Sequence, residues 1–267
     1  MVVDGIRLKT NMDVLKDIVT DTHLRFEQDG LHIRAQDPDK MTMVKFWLPT
    51  TAALSYHIDG TAHFVGVNVP HFYKLIRSVQ PGAQITMEIE KDTPSILKLV
   101  TAYPTSSSAI SIKSMDMEPQ DVVFSETVYE SMCEIPTHLL QKLLRDAALQ
   151  SKKVGIRAIV SENVDEPKLI FTASGELSTT SVTLAEIKDT INITNAGIHW
   201  GYHGDTDYSA QFWVKHLLKF LKPSLCKNVC MHFRVDQPIL LSYTEHFCET
   251  SVLLSIHVAP ILGTSTT

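Results

Sequence analysis

Apolar and polar residues alternate with a period of two along most of the chain, the pattern of strands that bury one face. Residues 31–34, 41–47, 85–89, 96–100 and 109–112 read as strands in the first half. Residues 154–160, 169–173, 181–184, 229–235, 239–243 and 251–258 follow in the second. The period lengthens to that of a helix at 11–19, 70–79, 136–148 and 213–221. Pro70 and Pro136 fall in first turns, where a missing N–H costs nothing, and Pro223 stops the last helix. Each half thus reads strand, helix, several strands, helix, several strands. Between the halves, residues 115–127 have neither period and are acidic, with Pro119 among them, which marks a connector. The pattern predicts an α+β duplication, with domains at 1–114 and 131–267 and a connector at 115–130. Each domain would pack two helices on antiparallel sheets.

The predicted helices share a motif in which two basic residues flank two apolar ones. It occurs as Lys74-Leu75-Ile76-Arg77, Lys142-Leu143-Leu144-Arg145 and Lys219-Phe220-Leu221-Lys222, and more weakly as Asp13-Val14-Leu15-Lys16. Helical residues three apart share a face, so both charges point one way while the apolar pair turns toward a core. The formal net charge is -6, so positive charge is being gathered on one surface of an acidic protein. An ordinary solvated helix face would mix acidic residues among the basic ones. Asp13, Asp17 and Asp146 do intrude, but Lys74/Arg77 and Lys215/Lys219/Lys222 have no acidic companions on their helices. Contact with phosphates needs only positive charge at the backbone's spacing. The helices offer few groups for reading bases, so nucleic acid would be bound without regard to sequence. Copies assembled into a ring would turn the helices into a positive lining.

Composition excludes more than it assigns. At 44% apolar residues, 267 positions can bury a substantial core. No apolar run reaches the length of a membrane helix, and Met1-Val2-Val3-Asp4-Gly5 lacks a signal-peptide plan. A reducing compartment is therefore expected for Cys133, Cys226, Cys230 and Cys248, with no glycan on Asn192. Lys152-Lys153 is too short to act as a nuclear import signal. There is no Gly-x-Gly-x-x-Gly, no phosphate loop ending in Gly-Lys-Ser/Thr and no His-Glu-x-x-His. Ala173-Ser174-Gly175 fails as a nucleophile elbow because Phe171 stands where the first glycine is needed. Cys226, Cys230 and His232, with His246 and Cys248 beyond, offer zinc-like ligands. Cys230 and His232 share one strand face while Cys226 precedes them in a turn, so buried cysteines beside a surface histidine are the simpler reading. Neither cofactor, metal nor catalytic residue is expected.

Several segments resemble the proliferating cell nuclear antigen family of DNA sliding clamps. Leu169-Ile170-Phe171-Thr172-Ala173-Ser174-Gly175-Glu176-Leu177 is similar to the family's FSASGEL segment, and Gly66-Val67-Asn68-Val69 to its GVNL. Met115-Asp116-Met117, followed by Tyr129, sits where the family has its interdomain connector. Asp236-Gln237-Pro238-Ile239 and Val258-Ala259-Pro260 match its closing DVPL and LAPK segments. The landmarks keep their order from Lys16 to Leu262, nearly the whole chain.

The resemblance implies two clamp domains per chain and three chains in a homotrimeric ring around double-stranded DNA. Lys16, Lys74, Arg77, Lys142 and Arg145 fall where the family places basic residues toward DNA. Lys215 and Lys222 do so on the fourth helix, Lys9 is an addition, and Lys219 rests on its helical spacing from Lys215 and Lys222. Ring closure would pair an edge strand bearing Ala109, Ile110 and Ile112 with one bearing Thr180, Val182 and Leu184. A pocket of Met41, Met43, Val122, Phe124, Pro238, His257, Ala259 and Pro260 would receive clamp-binding peptides of a DNA polymerase and other proteins, with a clamp loader as a further candidate partner. Such a protein works inside the cell, at the site of replication. His257 stands where the family has an aromatic residue and Lys40 where it has a histidine. Residues 195–207 have no evident counterpart, and Gly263-Thr264-Ser265-Thr266-Thr267 replaces an acidic tail. These departures fit a divergent member, viral or a paralogue. The rival readings are a subunit of a heterotrimeric checkpoint clamp, a monomeric processivity factor of the same fold and, from another class, a zinc-dependent enzyme.

Overall fold

The computed structural model describes residues 1–118, 122–124, 127–160, 166–185, 198–244 and 253–261. The chain divides into two compact units, Met1–Val123 with Thr244–Leu254, and Phe124–Tyr243 with Ser255–Thr267.

In the first unit, β1 (Val2–Asp4) leads directly into α1 (Gly5–Ile18). The Asp4 carboxylate caps the helix by accepting the Arg7 N–H at 2.8 Å. The helix therefore begins at Gly5, well before the predicted 11–19 segment. Packing decides this start: the Gly5 N–H reaches the Ala83 carbonyl at 2.9 Å, and a Cβ here would lie 2.6 Å from Val79 Cγ1. There follow β2 (Asp21–Glu27), β3 (Gly30–Gln36), β4 (Thr42–Pro49), β5 (Ala62–Asn68), α2 (Val69–Ile76), β6 (Gln84–Ile89), β7 (Ile96–Ala102) and β8 (Ser107–Lys113). One sheet runs β1–β6–β7–β8 and the other β4–β3–β2–β5, with antiparallel pairing. Phe46 and Phe72 lie fully buried in this unit's core.

The second unit repeats the plan with β9 (Ser131–Pro136), α3 (Thr137–Gln150), β10 (Lys153–Ile159), β11 (Lys168–Ser174) and β12 (Thr179–Ala185). Then come β13 (His199–Tyr202), β14 (Tyr208–Trp213), α4 (Val214–Phe220), β15 (Asn228–Phe233), β16 (Ile239–Thr244) and β17 (Leu253–Val258). Its pairing orders, β9–β15–β16–β17 and β12–β11–β10–β14, reproduce those of the first unit strand for strand. The addition is β13, which lies within the unassigned 195–207 stretch and pairs antiparallel with β9. At the matching edge the first unit has an isolated bridge between Val2 and Ser55. Residues 195–197 fall outside the described residues. Phe212, Phe220 and Phe233 are fully buried here.

The predicted strands and four helices are present where described, and β1, β2, β5, β9, β13 and β14 add to them. The alternation of β2 is masked because His23 and Arg25 sit at buried positions. Together with Arg34 and Met117 they border one small cavity. The strand β5 carries Gly66, which weakens its strand signal. Among the described residues of the 115–130 segment none is helix or strand. No helix among the described residues is long and apolar enough to cross a membrane.

Candidate nucleic-acid interface

Within each unit the two helices lie side by side and antiparallel. In the second unit, Gln141 Nε2 in the first half of α3 donates to the Leu221 carbonyl just beyond α4 at 2.8 Å. The Val214 N–H, at the start of α4, donates to the Lys152 carbonyl just beyond α3 at 3.0 Å. The first unit repeats both ties. Lys9 Nζ donates to the Val79 carbonyl beyond α2 at 2.9 Å, and the Val69 N–H to the Thr20 carbonyl at 2.8 Å. α1 and α3 have 14 residues each and end on equivalent caps, Val19 N–H to Leu15 O and Ser151 N–H to Ala147 O. Position by position, Lys9 therefore matches Gln141, Asp13 matches Arg145, and Thr20 matches Lys152.

The basic motif behaves as its spacing requires. Lys74, Arg77, Lys142 and Arg145 are exposed, while Ile76 and Leu144 inside the same motifs are 1% exposed. None of these four basic residues makes an ion pair with another described residue. The fourth motif runs past the end of α4: Phe220 on the helix and Leu221 just beyond it are wholly buried, Lys215 on the helix is exposed, and Lys219 on the helix and Lys222 beyond it are half-buried. The first motif differs. Lys16 pairs with Asp13 at 2.7 Å and Asp17 at 3.5 Å, and its ammonium sits 4.7 Å from the Tyr73 ring centroid. Partial burial opposes its charge, but the Asp13 and Asp17 carboxylates outweigh this and raise its pKa. Its positive charge is thus largely offset on its own helix, and that of Lys9 is turned toward a helix-end carbonyl.

The strands expected at a subunit boundary are both sheet edges. β8 ends the sheet β1–β6–β7–β8, with Ala109 exposed and Ile110 and Ile112 half-buried. β12 ends the sheet β12–β11–β10–β14, with Thr180 exposed and Val182 half-buried. Leu184 is 7% exposed, so it can serve an edge only through its backbone.

The residues of the expected peptide pocket fall in both units. Met41, Met43 and Val122 are half-buried in the first. There the Asp37 carboxylate fixes the approach to β4 by accepting the N–H groups of Met41 and Thr42 at 2.8 and 2.7 Å. Phe124, Pro238, His257, Ala259 and Pro260 are half-buried in the second. Tyr129, which the sequence offered only as a landmark, organises this group. Its hydroxyl lies 3.2 Å from both the Pro238 carbonyl and His257 Nδ1. A carbonyl can only accept, so Tyr129 donates to Pro238 and His257 Nδ1 donates to Tyr129. The Phe124 ring lies 5.4 Å from that of His257. Beneath them, burial and then the nearby His257 push His232 down to about 4, which keeps its ring neutral at physiological pH.

The zinc candidates do not converge. Among the described residues, no group of three ligand atoms within 4.8 Å of one another includes Cys226, Cys230 or His232. His232 Nε2 instead contacts Ser242 Oγ at 3.1 Å, and burial raises the Cys133 thiol, with Cys230 adding to the shift. His246 and Cys248 lie outside the described residues. In the first unit Glu27, Asp29 and His32 do meet, as a hydrogen-bonded group in which His32 Nε2 is 2.9 Å from Asp29 Oδ1.

Comparison with known proteins places this arrangement in context. Residues 2–122 match the model for the N-terminal domain of proliferating cell nuclear antigen. The chain is 26% identical to the proliferating cell nuclear antigen of Chaetomium thermophilum, over 96% of this chain and 95% of that protein. It is 25% identical to the probable DNA polymerase sliding clamp 1 of Paramecium bursaria Chlorella virus 1, over 98% and 95% of the two chains. To the DNA polymerase sliding clamp of Nanoarchaeum equitans it is 19% identical, over 90% and 91%.

Proposed function

We propose that the chain is a sliding clamp of the proliferating cell nuclear antigen family, whose N-terminal domain model it matches and whose members it resembles over nearly its whole length, and that its residues make it a processivity factor for DNA polymerase. Three copies close into a ring by pairing β8 of one subunit with β12 of the next, which completes two sheet edges that are otherwise unpaired. Two clamp domains, 1–114 and 131–267, are joined by the connector at 115–130. The four helices of each copy face duplex DNA inside the ring. Lys74, Arg77, Lys142 and Arg145 supply the main phosphate contacts, with Lys215, Lys219 and Lys222 beside them. Lys9 and Lys16 contribute less, because their charges are engaged locally. The observation that carries the reading is the recurrence of one exposed basic pair, backed by one buried apolar residue, on equivalent two-helix layers of two equivalent units.

Such an interface does no bond chemistry. Topology keeps the ring on DNA, and the basic residues need only make weak, salt-sensitive contacts that permit sliding. Peptides of the polymerase and other partners dock at the pocket groups around Met41 and His257, and tethering raises their effective concentration at the primer end. A loader would open the ring, and the protein acts wherever the DNA is replicated. We take it to be non-catalytic. Solution mass tests the assembly: a particle near three times 29.9 kDa is expected, and a stable monomer would overturn the homotrimer.

A further inference from the structure

The corner where the end of α3 meets the start of α4 carries positive charge that its counterpart lacks. The same backbone bond builds both corners, Val69 N–H to Thr20 O in one unit and Val214 N–H to Lys152 O in the other. In the first unit the corner reads Thr20-Asp21, with the Asp21 carboxylate held by Asn68 Nδ2 at 2.8 Å. In the second it reads Lys152-Lys153, and both lysines are exposed. Lys153 pairs with Trp213 across β10 and β14, and its ammonium lies 5.1 Å from the Trp213 ring centroid. Lys215, which is exposed, follows two residues after Trp213.

The basic face of α3 itself stops at Arg145, although the helix continues to Gln150. Its exposed residues beyond that point are Asp146, Ala148, Leu149 and Gln150, none of them basic. Because the helices are antiparallel, Lys142 and Arg145 stand toward the α4 end that carries Lys219 and Lys222. Charge resumes only at Lys152-Lys153, beside the α4 end that carries Lys215. A solvated turn would account for one such lysine. Lys152 and Lys153 are adjacent and both exposed, and they repel one another unless a polyanion compensates them. The contact with Trp213 also restrains Lys153, which lowers the entropy lost when it is fixed on a ligand.

We propose that Lys152 and Lys153 are phosphate-contacting residues that extend the basic stripe of the second unit to the start of α4. Duplex DNA is then gripped along the whole helix pair of that unit, and over a shorter span by the first. This rests on the DNA reading above and adds two residues to it. The test is the salt dependence of binding of the full chain to a duplex of mixed sequence. Replacing Lys152 and Lys153 together by Ala should make the slope of log K against log salt shallower by about 1.8, the release expected from two phosphate contacts. The Lys152→Arg, Lys153→Arg variant should keep the full slope, because only charge is required. Lys168→Ala, an exposed lysine on β11, should leave it unchanged. If Lys142→Ala with Arg145→Ala lowers the slope while the corner variant does not, the corner assignment is wrong and the interface stands. If neither lowers it, the DNA reading of these helices falls with it.

Discussion

Replacing Lys74, Arg77, Lys142 and Arg145 together by Ala will strip the protein of most of its hold on duplex DNA while leaving it folded. All four side chains are exposed, and the apolar residues that anchor their helices are untouched. Four lost phosphate contacts correspond to a slope of log K against log salt shallower by about 3.6. Stability should change little, since exposed substitutions outside the core usually stay within about 0.5 kcal/mol each, and Arg77, the C-cap of α2, has right-handed helical backbone that Ala adopts as readily. Lys16→Ala alone should have a small effect, because Asp13 and Asp17 already offset that charge. A quadruple variant with unchanged salt dependence would show that these helices face solvent and nothing else.

Gly66→Val is the second large effect expected, and it acts on the connector. The strand β5 runs under the chain at Met115, where the Gly66 carbonyl accepts the Met115 N–H at 2.8 Å. The Gly66 N–H in turn reaches Ser114 Oγ at 2.9 Å. A Cβ on Gly66 would collide with the Met115 carbonyl oxygen, which is backbone and cannot swing aside. The connector would have to leave the strand, losing both hydrogen bonds. Destabilisation of at least about 3 kcal/mol should result, in the range reserved for buried clashes and lost networks. Ser114→Ala removes the Oγ contacts with the Gly66 N–H and the Met115 carbonyl but keeps the backbone bond, and should cost about 1–2 kcal/mol. Unfolding midpoints in denaturant measure both. A Gly66→Val protein as stable as the parent would mean that the connector does not rest on β5.

Much of this was legible in the sequence, for physical reasons that can be named. The i,i+3 spacing of Lys74 and Arg77 survived folding because Ile76 between them had a core to enter, while Leu75 is only half-buried. The duplication was readable because both units use the same run of elements, down to the chain reversals that tie Thr20 to Val69 and Lys152 to Val214. What stayed hidden depended on partners distant in sequence. Arg25 reads as a surface residue until Met117 is placed beside it at the same cavity. Asp13 and Lys16 looked like a weakened copy of the basic motif, but at 2.7 Å they are an ion pair. Lys9 looked like a free charge and is the counterpart of Gln141, a side chain that ties one helix to the end of the next. Tyr129 gave no local signal, since its partners Pro238 and His257 lie more than a hundred residues away.

The central claim is that the protein holds DNA by encircling it. Retention on a duplex circle, followed through a single linearising cut, tests this most directly. Protein loaded on the circle should remain bound through a wash at raised salt, then be lost once the DNA has ends. Equal retention before and after the cut, or equal loss from both forms, would contradict a ring that slides.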